Sequence, residues 1–346
     1  MKLKPLALRL LVLMTSGYLL TSCGNNISPT SSSRPTATST PANTPVINTP
    51  TPTPNVTVIA NYGASSEPWN LHFDNAGNLY VAFDNASGPC TVVKIASPGT
   101  SPVTSLAYAG TAAINESAAV MDPNGNLWIA PQSNKVIEIP AGGGTPVTIT
   151  AGFYSGSSVI DMAINNAGTT LYMDDGISTY LYALNLSNPS AGAVTLVNKS
   201  DNPQGFGQGL AFDSNGDLFL GGAGYVGEIL AASLNPLAIP FNFAGNGSNG
   251  CVNGTLTGTS EFTAIYGVAV DSSGNVYATD VSSLGIRKIS GGQVTTLVAR
   301  TGSSLNPTVF ISSIGASDYL PGVACDNAGN VYFTDYTNGN IYRYQP

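Results

Sequence analysis

The chain has 346 residues, enough for one large domain or two ordinary ones, and 19 acidic residues against 11 basic ones set its net charge at −8. Charged residues make up only 9% of it, while Gly and Pro number 39 and 23, a turn-rich composition that favours a secreted all-β protein over a helical or cytosolic one. Lys2, Lys4 and Arg9 precede every acidic residue, so beyond position 22 eight basic residues stand against 19 acidic ones, a net −11. A surface this acidic repels phosphate backbones and, with no basic patch in the sequence, speaks against nucleic-acid binding.

In chain order, residues 1–22 come first. Lys2, Lys4 and Arg9 flank the apolar run Leu10-Leu-Val-Leu-Met14, with Leu19-Leu20 following, which is the layout of a secretory signal peptide. The apolar part is short of the roughly 20 residues that a membrane-spanning helix needs. It ends in Leu20-Thr21-Ser22-Cys23, which resembles the bacterial lipobox. The resemblance implies cleavage before Cys23, which then carries lipid and anchors an extracytoplasmic protein to a bacterial membrane. Gly24, where inner-membrane retention uses Asp, implies the outer membrane in a Gram-negative host. The other reading is an ordinary signal peptide followed by a chance cysteine. Residues 23–54 are mostly Ser, Thr, Pro and Asn and end in Thr49-Pro-Thr-Pro-Thr-Pro54. They cannot bury a core and are expected to form a disordered tether, reaching at most about 95 Å at roughly 3.1 Å per residue.

From residue 55 onward a single unit recurs. It is clearest over residues 265–298, where four short apolar segments rich in Val, Ile and Tyr are separated by Gly, Ser and Asp, the pattern of antiparallel strands joined by tight turns. The turn Asp271-Ser-Ser-Gly274-Asn275 has its counterparts in Asp74-Asn-Ala-Gly77-Asn78, Asp122-Pro-Asn-Gly125-Asn126, Asp213-Ser-Asn-Gly216-Asp217 and Asp326-Asn-Ala-Gly329-Asn330, with a worn copy at Asn165-Asn-Ala-Gly168-Thr169. Asp can bond its own backbone at such a turn, and Gly supplies positive φ. The six turns are 43 to 58 residues apart, in or near the range of propeller blades. The sixth unit lacks a fourth strand, and Asn55-Val-Thr-Val-Ile-Ala60 is a fourth strand with no partners ahead of it. Residues 55–346 are therefore expected to form an all-β, six-bladed propeller. Its ring would close by pairing this N-terminal strand with the last blade, which removes an open sheet edge.

The segment Phe243-Ala-Gly-Asn-Gly247-Ser-Asn-Gly250, followed by Tyr266-Gly-Val-Ala-Val-Asp271, Gly274-Asn-Val-Tyr277 and Ile286-Arg-Lys-Ile289, resembles an NHL repeat. The likeness is close in the fifth unit, good in the first, second and sixth, and weaker in the third and fourth. It implies a six-bladed β-propeller and little chemistry, since NHL propellers include protein- and RNA-binding modules and related propellers include lyases and lactonases.

With the first strand of each blade innermost, the residues leading into it line one mouth of the central channel, the usual ligand site of such rings. Those positions are Glu67, Asn70, Glu116, Asp161, Gln208 and Tyr266, with Asp174 and Asp175 above the third blade. Gly209, Gly267 and Gly322 are expected to leave the far side of the mouth open. Glu116 and Asp161 are oxygen ligands suited to Ca²⁺, or else these groups simply solvate the channel mouth. His72 takes the place of alanines in other blades and is expected to pack between strands; a single histidine excludes a multi-His zinc site. Cys325 replaces apolar residues and is expected to be a free thiol. Cys90 and Cys251 fall in loops on one face, and a disulfide between them is one expectation in an oxidising compartment. Two functions follow. The first is a monomeric, membrane-tethered, non-catalytic module that binds a protein or glycan partner, touching the membrane through its N-terminal lipid alone. The second is a divalent-metal-dependent hydrolase or lactonase at the channel mouth.

Overall fold

The computed structural model describes residues 55–346 apart from 65, 85–90, 99–101, 110–117, 132–133, 156–157, 176–179, 198–208, 235–240, 282–284, 302–306 and 316–317. Strands form six antiparallel sheets, each built in the main from four consecutive segments. The first strands are Pro68–Phe73, Ala118–Met121, Val159–Ile164, Leu210–Phe212, Ile265–Val270 and Val323–Cys325. Each packs beside the first strand of the next sheet, and the sixth returns to the first. This is a six-bladed β-propeller with its first strands around the central channel. Apolar clusters fill the wedges between neighbouring blades, as in the group formed by Leu71, Val81, Ala324, Tyr332 and Ile341 of the first and last blades.

All six expected turns are present, and the Asp-led ones share a mechanism. In the fifth blade the Asp271 carboxylate accepts the backbone N–H groups of Ser273 and Asn275, both at 2.9 Å. It also accepts the Asn275 side-chain amide at 2.7 Å and the Tyr277 hydroxyl at 3.0 Å. Asp326 repeats the set with Asn330 and Tyr332, and Asp122 does so with the Trp128 indole N–H. The recurring aromatic is thus a packing residue tied to its own turn. Gly274 sits at φ +77° with open space around it, so conformation rather than crowding requires glycine there.

Two short strands escaped the sequence pattern because they are too brief to alternate. Gly254–Thr255 pairs antiparallel with Gln293–Arg300, and Val309–Ile311 pairs parallel with it, widening the fifth sheet to six strands. Phe241–Ala244 supplies the fourth strand of the fourth blade. The loop before the fifth blade is fastened by Arg287, which is fully buried. Its guanidinium pairs with Asp280 at 3.1 Å and donates to the carbonyls of Glu261 and Val252 and to Asn253 Oδ1. It also lies 4.9 Å from the Phe262 ring centre. Removing one partner of such a pair would leave a buried charge uncompensated.

The ring closes as the sequence implies. Asn55–Asn61 pairs antiparallel with Asn340–Gln345 through six partner positions, with an irregularity between Val58 and Ala60. Val56 and Ile59 turn their side chains to the blade 5–6 and blade 6–1 cores. At roughly 1 kcal/mol net per pairing, loss of residues 55–62 should remove a large part of a typical 5–15 kcal/mol total. Thermal denaturation is expected to show that variant melting more than about 10 °C early or aggregating. A variant lacking only residues 23–54 should melt with the parent, and equal melting of the two would show that this strand does not close the ring.

Candidate functional site

The first strands bring a layer of equivalent positions to the channel wall, four residues before each turn: Asn70, Ala118, Asp161, Gly209, Gly267 and Gly322. Two of the expected site residues meet there. The Asn70 amide donates to Asp161 Oδ1 at 2.8 Å, joining the first blade to the third. The Asp161 carboxylate is buried and accepts two further N–H donors. Its own neighbour Met162 donates to Oδ1 at 2.7 Å, and Leu210 of the fourth blade donates to Oδ2 at 2.8 Å. Burial pushes its pKa up to about 7 while these three donors pull the other way. Asp161 therefore braces three blades.

The three glycines of that layer have a different purpose from the one expected. They do not hold the far side of the mouth open. A Cβ at Gly209 would fall 2.8 Å from the Tyr266 carbonyl oxygen, one at Gly267 would fall 2.5 Å from that of Pro321, and one at Gly322 would strike that of Trp69. Each glycine lets its strand approach the chain leading into the next blade. Hydroxyls seal two of these junctions. Thr279 accepts the Gly267 N–H and donates to the Pro321 carbonyl, and Thr334 does the same for Gly322 and Trp69.

Aromatic rings fill that sector. Trp69, Tyr266, Tyr319 and Tyr336 form a buried cluster with Ala264 and Val281. Trp69 lies 5.9, 5.6 and 5.8 Å from the three tyrosine rings. Tyr266 thus packs against its neighbours and does not line an open mouth. Glu67 is partly buried at φ +54°, and its carbonyl accepts the Asp84 N–H at 2.8 Å. Asp174 and Asp175 are fully buried in the third blade. Glu116, Gln208, Cys23 and Cys90 lie outside the described residues. Cys251 is disulfide-bonded, and the Cys325 thiol is free and shielded, with its pKa raised by burial.

Below the Asn70–Asp161 pair is a cavity of about 230 Å³, extending along the first strands to Phe73, Ile164, Phe212, Val270 and Cys325, with Asn166 of the third turn at its end. It therefore runs toward the face that carries the Asp-Gly turns, opposite the face on which the sequence places the ligand site. His72 is among its lining residues, two residues along from Asn70 on the same strand. Burial pushes the His72 pKa down to about 4, leaving a neutral imidazole. Among the described residues, no three His, Cys, Asp or Glu side chains come together as a metal-binding group.

The two shifted groups act on stability with opposite sign. Asp161, with a folded pKa above the ordinary 3.8, contributes stability that is complete near pH 4 and lost as pH rises through about 7. His72, depressed from 6.5, contributes stability that is present above pH 6.5 and lost as pH falls through about 4. Only a difference measurement separates them. The stability of the parent relative to Asp161→Asn should fall between pH 4.5 and 7.5, by at most about 1.4 kcal/mol per pH unit. A flat difference in denaturant titrations would show that the N–H donors keep Asp161 ionised throughout.

No family model and no curated protein matches the chain. Solved structures do. An auxiliary nutrient binding protein from Bacteroides ovatus is similar at 14% identity over 85% of this chain and 76% of that one, with a TM-score of 0.64. A catalytically inactive histidine-to-alanine variant of virginiamycin B lyase from Staphylococcus aureus, with quinupristin, is similar at 9% identity over 85% and 99% of the two chains, with a TM-score of 0.56. A putative gluconolactonase is similar at 12% identity over 85% and 93%, with a TM-score of 0.58. At these identities the likeness is one of fold: the chain shares a six-bladed β-propeller architecture with binding proteins and enzymes alike.

Proposed function

We propose that this protein is a membrane-tethered, extracytoplasmic propeller of NHL-like repeats that binds a protein or glycan partner and performs no chemistry of its own. The observation that carries this reading is the brace at Asp161. A catalytic carboxylate directs its oxygens to the space where substrate reacts, whereas Asp161 turns both oxygens to N–H donors of the first, third and fourth blades. Burial also holds His72, which lines the same cavity, neutral. The fold likeness to a nutrient binding protein supports the same reading. The tether is supported by the sequence alone, through the leader of residues 1–22, the lipobox-like Leu20-Thr21-Ser22-Cys23 and the Ser/Thr/Pro-rich stretch to residue 54. Cys23→Ala should therefore release folded protein to the soluble fraction on cell fractionation. A variant that stays membrane-bound through a high-salt wash would remove lipid at Cys23 as the anchor.

A second reading, a divalent-metal-dependent hydrolase or lactonase, is favoured by the raised pKa of Asp161 at the inner end of a cavity. Glu116 and Asp161 would hold Ca²⁺, which would polarise a substrate carbonyl. Asp161 fits this role poorly, because Oδ1 already accepts two donors and a cation would have to share Oδ2 with the Leu210 N–H. An ion at a hundredfold excess over its Kd adds about 2.7 kcal/mol to folding stability. The binding-module reading expects the same melting temperature in millimolar Ca²⁺ as in chelator, and no turnover of simple sugar lactones. A Ca²⁺-dependent rise in melting temperature together with lactone hydrolysis abolished by Asp161→Asn would favour the enzyme.

A further inference from the structure

We propose that Tyr154, held ring to ring on Tyr180, is a stacking platform for an uncharged sugar ring, so that the partner of this propeller is a neutral glycan; this rests on the binding-module reading above. The two rings stack at 4.6 Å with 17° between their planes. Tyr180 covers one face of Tyr154, yet Tyr154 is 48% exposed, which leaves ring surface open to a ligand. The platform has a rigid footing. Tyr180 lies 5.9 Å from the ring of Tyr182, which is fully buried and itself lies 4.9 Å from Phe153. The segment leading to Tyr154 is fixed as well. The Ala193 N–H donates to the Ala151 carbonyl at 2.8 Å, and Gly152, at φ +87°, lies so close to Ala193 that a Cβ would strike its carbonyl. A ring already held in place loses little freedom when a ligand docks on it.

The chemistry around the platform selects among flat ligands. Residues 150–197 contain no Lys or Arg, and their only acidic residues, Asp161, Asp174 and Asp175, are buried. A nucleotide would stack on the ring but find no cation for its phosphate in this segment, and the acidic chain as a whole repels it. A cationic ligand would find no exposed carboxylate in this segment to add to the ring face. A neutral pyranose suits the site. Its C–H face can lie on the exposed tyrosine ring, with its hydroxyls toward the tyrosine hydroxyls and the exposed Ser155. Tyrosine presents an apolar body with a polar tip of this kind.

The test uses the full chain, titrated calorimetrically with cellohexaose, laminarihexaose and mannohexaose. At least one of the three should bind. Tyr154→Ala should weaken that binding about tenfold or more, the loss of one stacked ring, while Tyr154→Phe stays within about threefold. Because Tyr154 is half exposed, Tyr154→Ala should melt within a few degrees of the parent. If a sugar binds and Tyr154→Ala leaves its affinity unchanged, or Tyr154→Phe loses as much as Tyr154→Ala, the platform is overturned while the binding-module reading stands. If none of the three binds, the glycan assignment falls and a protein partner remains. The binding-module reading itself is lost only to the Ca²⁺ and lactone result.

Discussion

An unpaired sheet edge has to be satisfied, and the way this chain does so governs its architecture. Five blades are each completed by consecutive segments, but the sixth ends at Asn340–Gln345 with one edge lacking a strand. Asn55–Asn61, nearly 280 residues away in sequence, fills that edge. The Asn61 amide donates to Asn340 Oδ1 across the same junction at 2.6 Å. A ladder between the two ends of the domain makes the ring one cooperative object, because the first blade can pack on the last only once the last is complete. The cluster that joins Ile59, Ala60, Leu71 and Ile341 lies at this seam.

Around that ring, main-chain contacts between blades are as important as apolar packing. Gly209, Gly267 and Gly322 bring backbone against backbone, and Thr279 and Thr334 satisfy the N–H and C=O groups exposed where they meet. At the third blade the same channel-facing position holds Asp161, which reaches forward to the Leu210 N–H and across to Asn70. Glycine with a threonine hydroxyl, and aspartate with two oxygens, are two solutions to one requirement: a buried backbone donor must find an acceptor. The arrangement fixes the channel wall and leaves the outward-facing loops free to differ from blade to blade.

The channel and the tyrosine platform differ in what they offer a ligand. In the channel the Asn70 amide and the Asp161 carboxylate bond each other, and the positions equivalent to His72 hold Ala163, Ala211, Ala269 and Ala324, which add no polar side chain to the cavity. At the third blade Tyr154 stacks on Tyr180 and is half exposed. Recognition on a rigid aromatic surface needs little enclosure, because the binding energy comes from contact with the ring face.

Local physics made the fold legible in the sequence. The Asp-x-x-Gly turns, the alternating apolar segments and the unpaired strand at residue 55 each need only a few adjacent residues, and together they specify six blades and the closing partner. The paired ends follow because a strand with no local partner must find a distant one. What only the tertiary structure decided depends on distance between blades. Asn70 and Asp161 were legible as channel-facing residues, but nothing in a one-dimensional spacing shows that they bond each other. The glycines at 209, 267 and 322 read as space in the sequence and act as contact in the fold, because what a missing Cβ permits depends on the neighbouring chain. Tyr266 and Trp69, 197 positions apart, become partners through the curvature of the ring. Tyr154 carried no repeat signal at all: its stack on Tyr180 arises because a loop between blades folds back over a third strand, a meeting that sequence periodicity cannot encode.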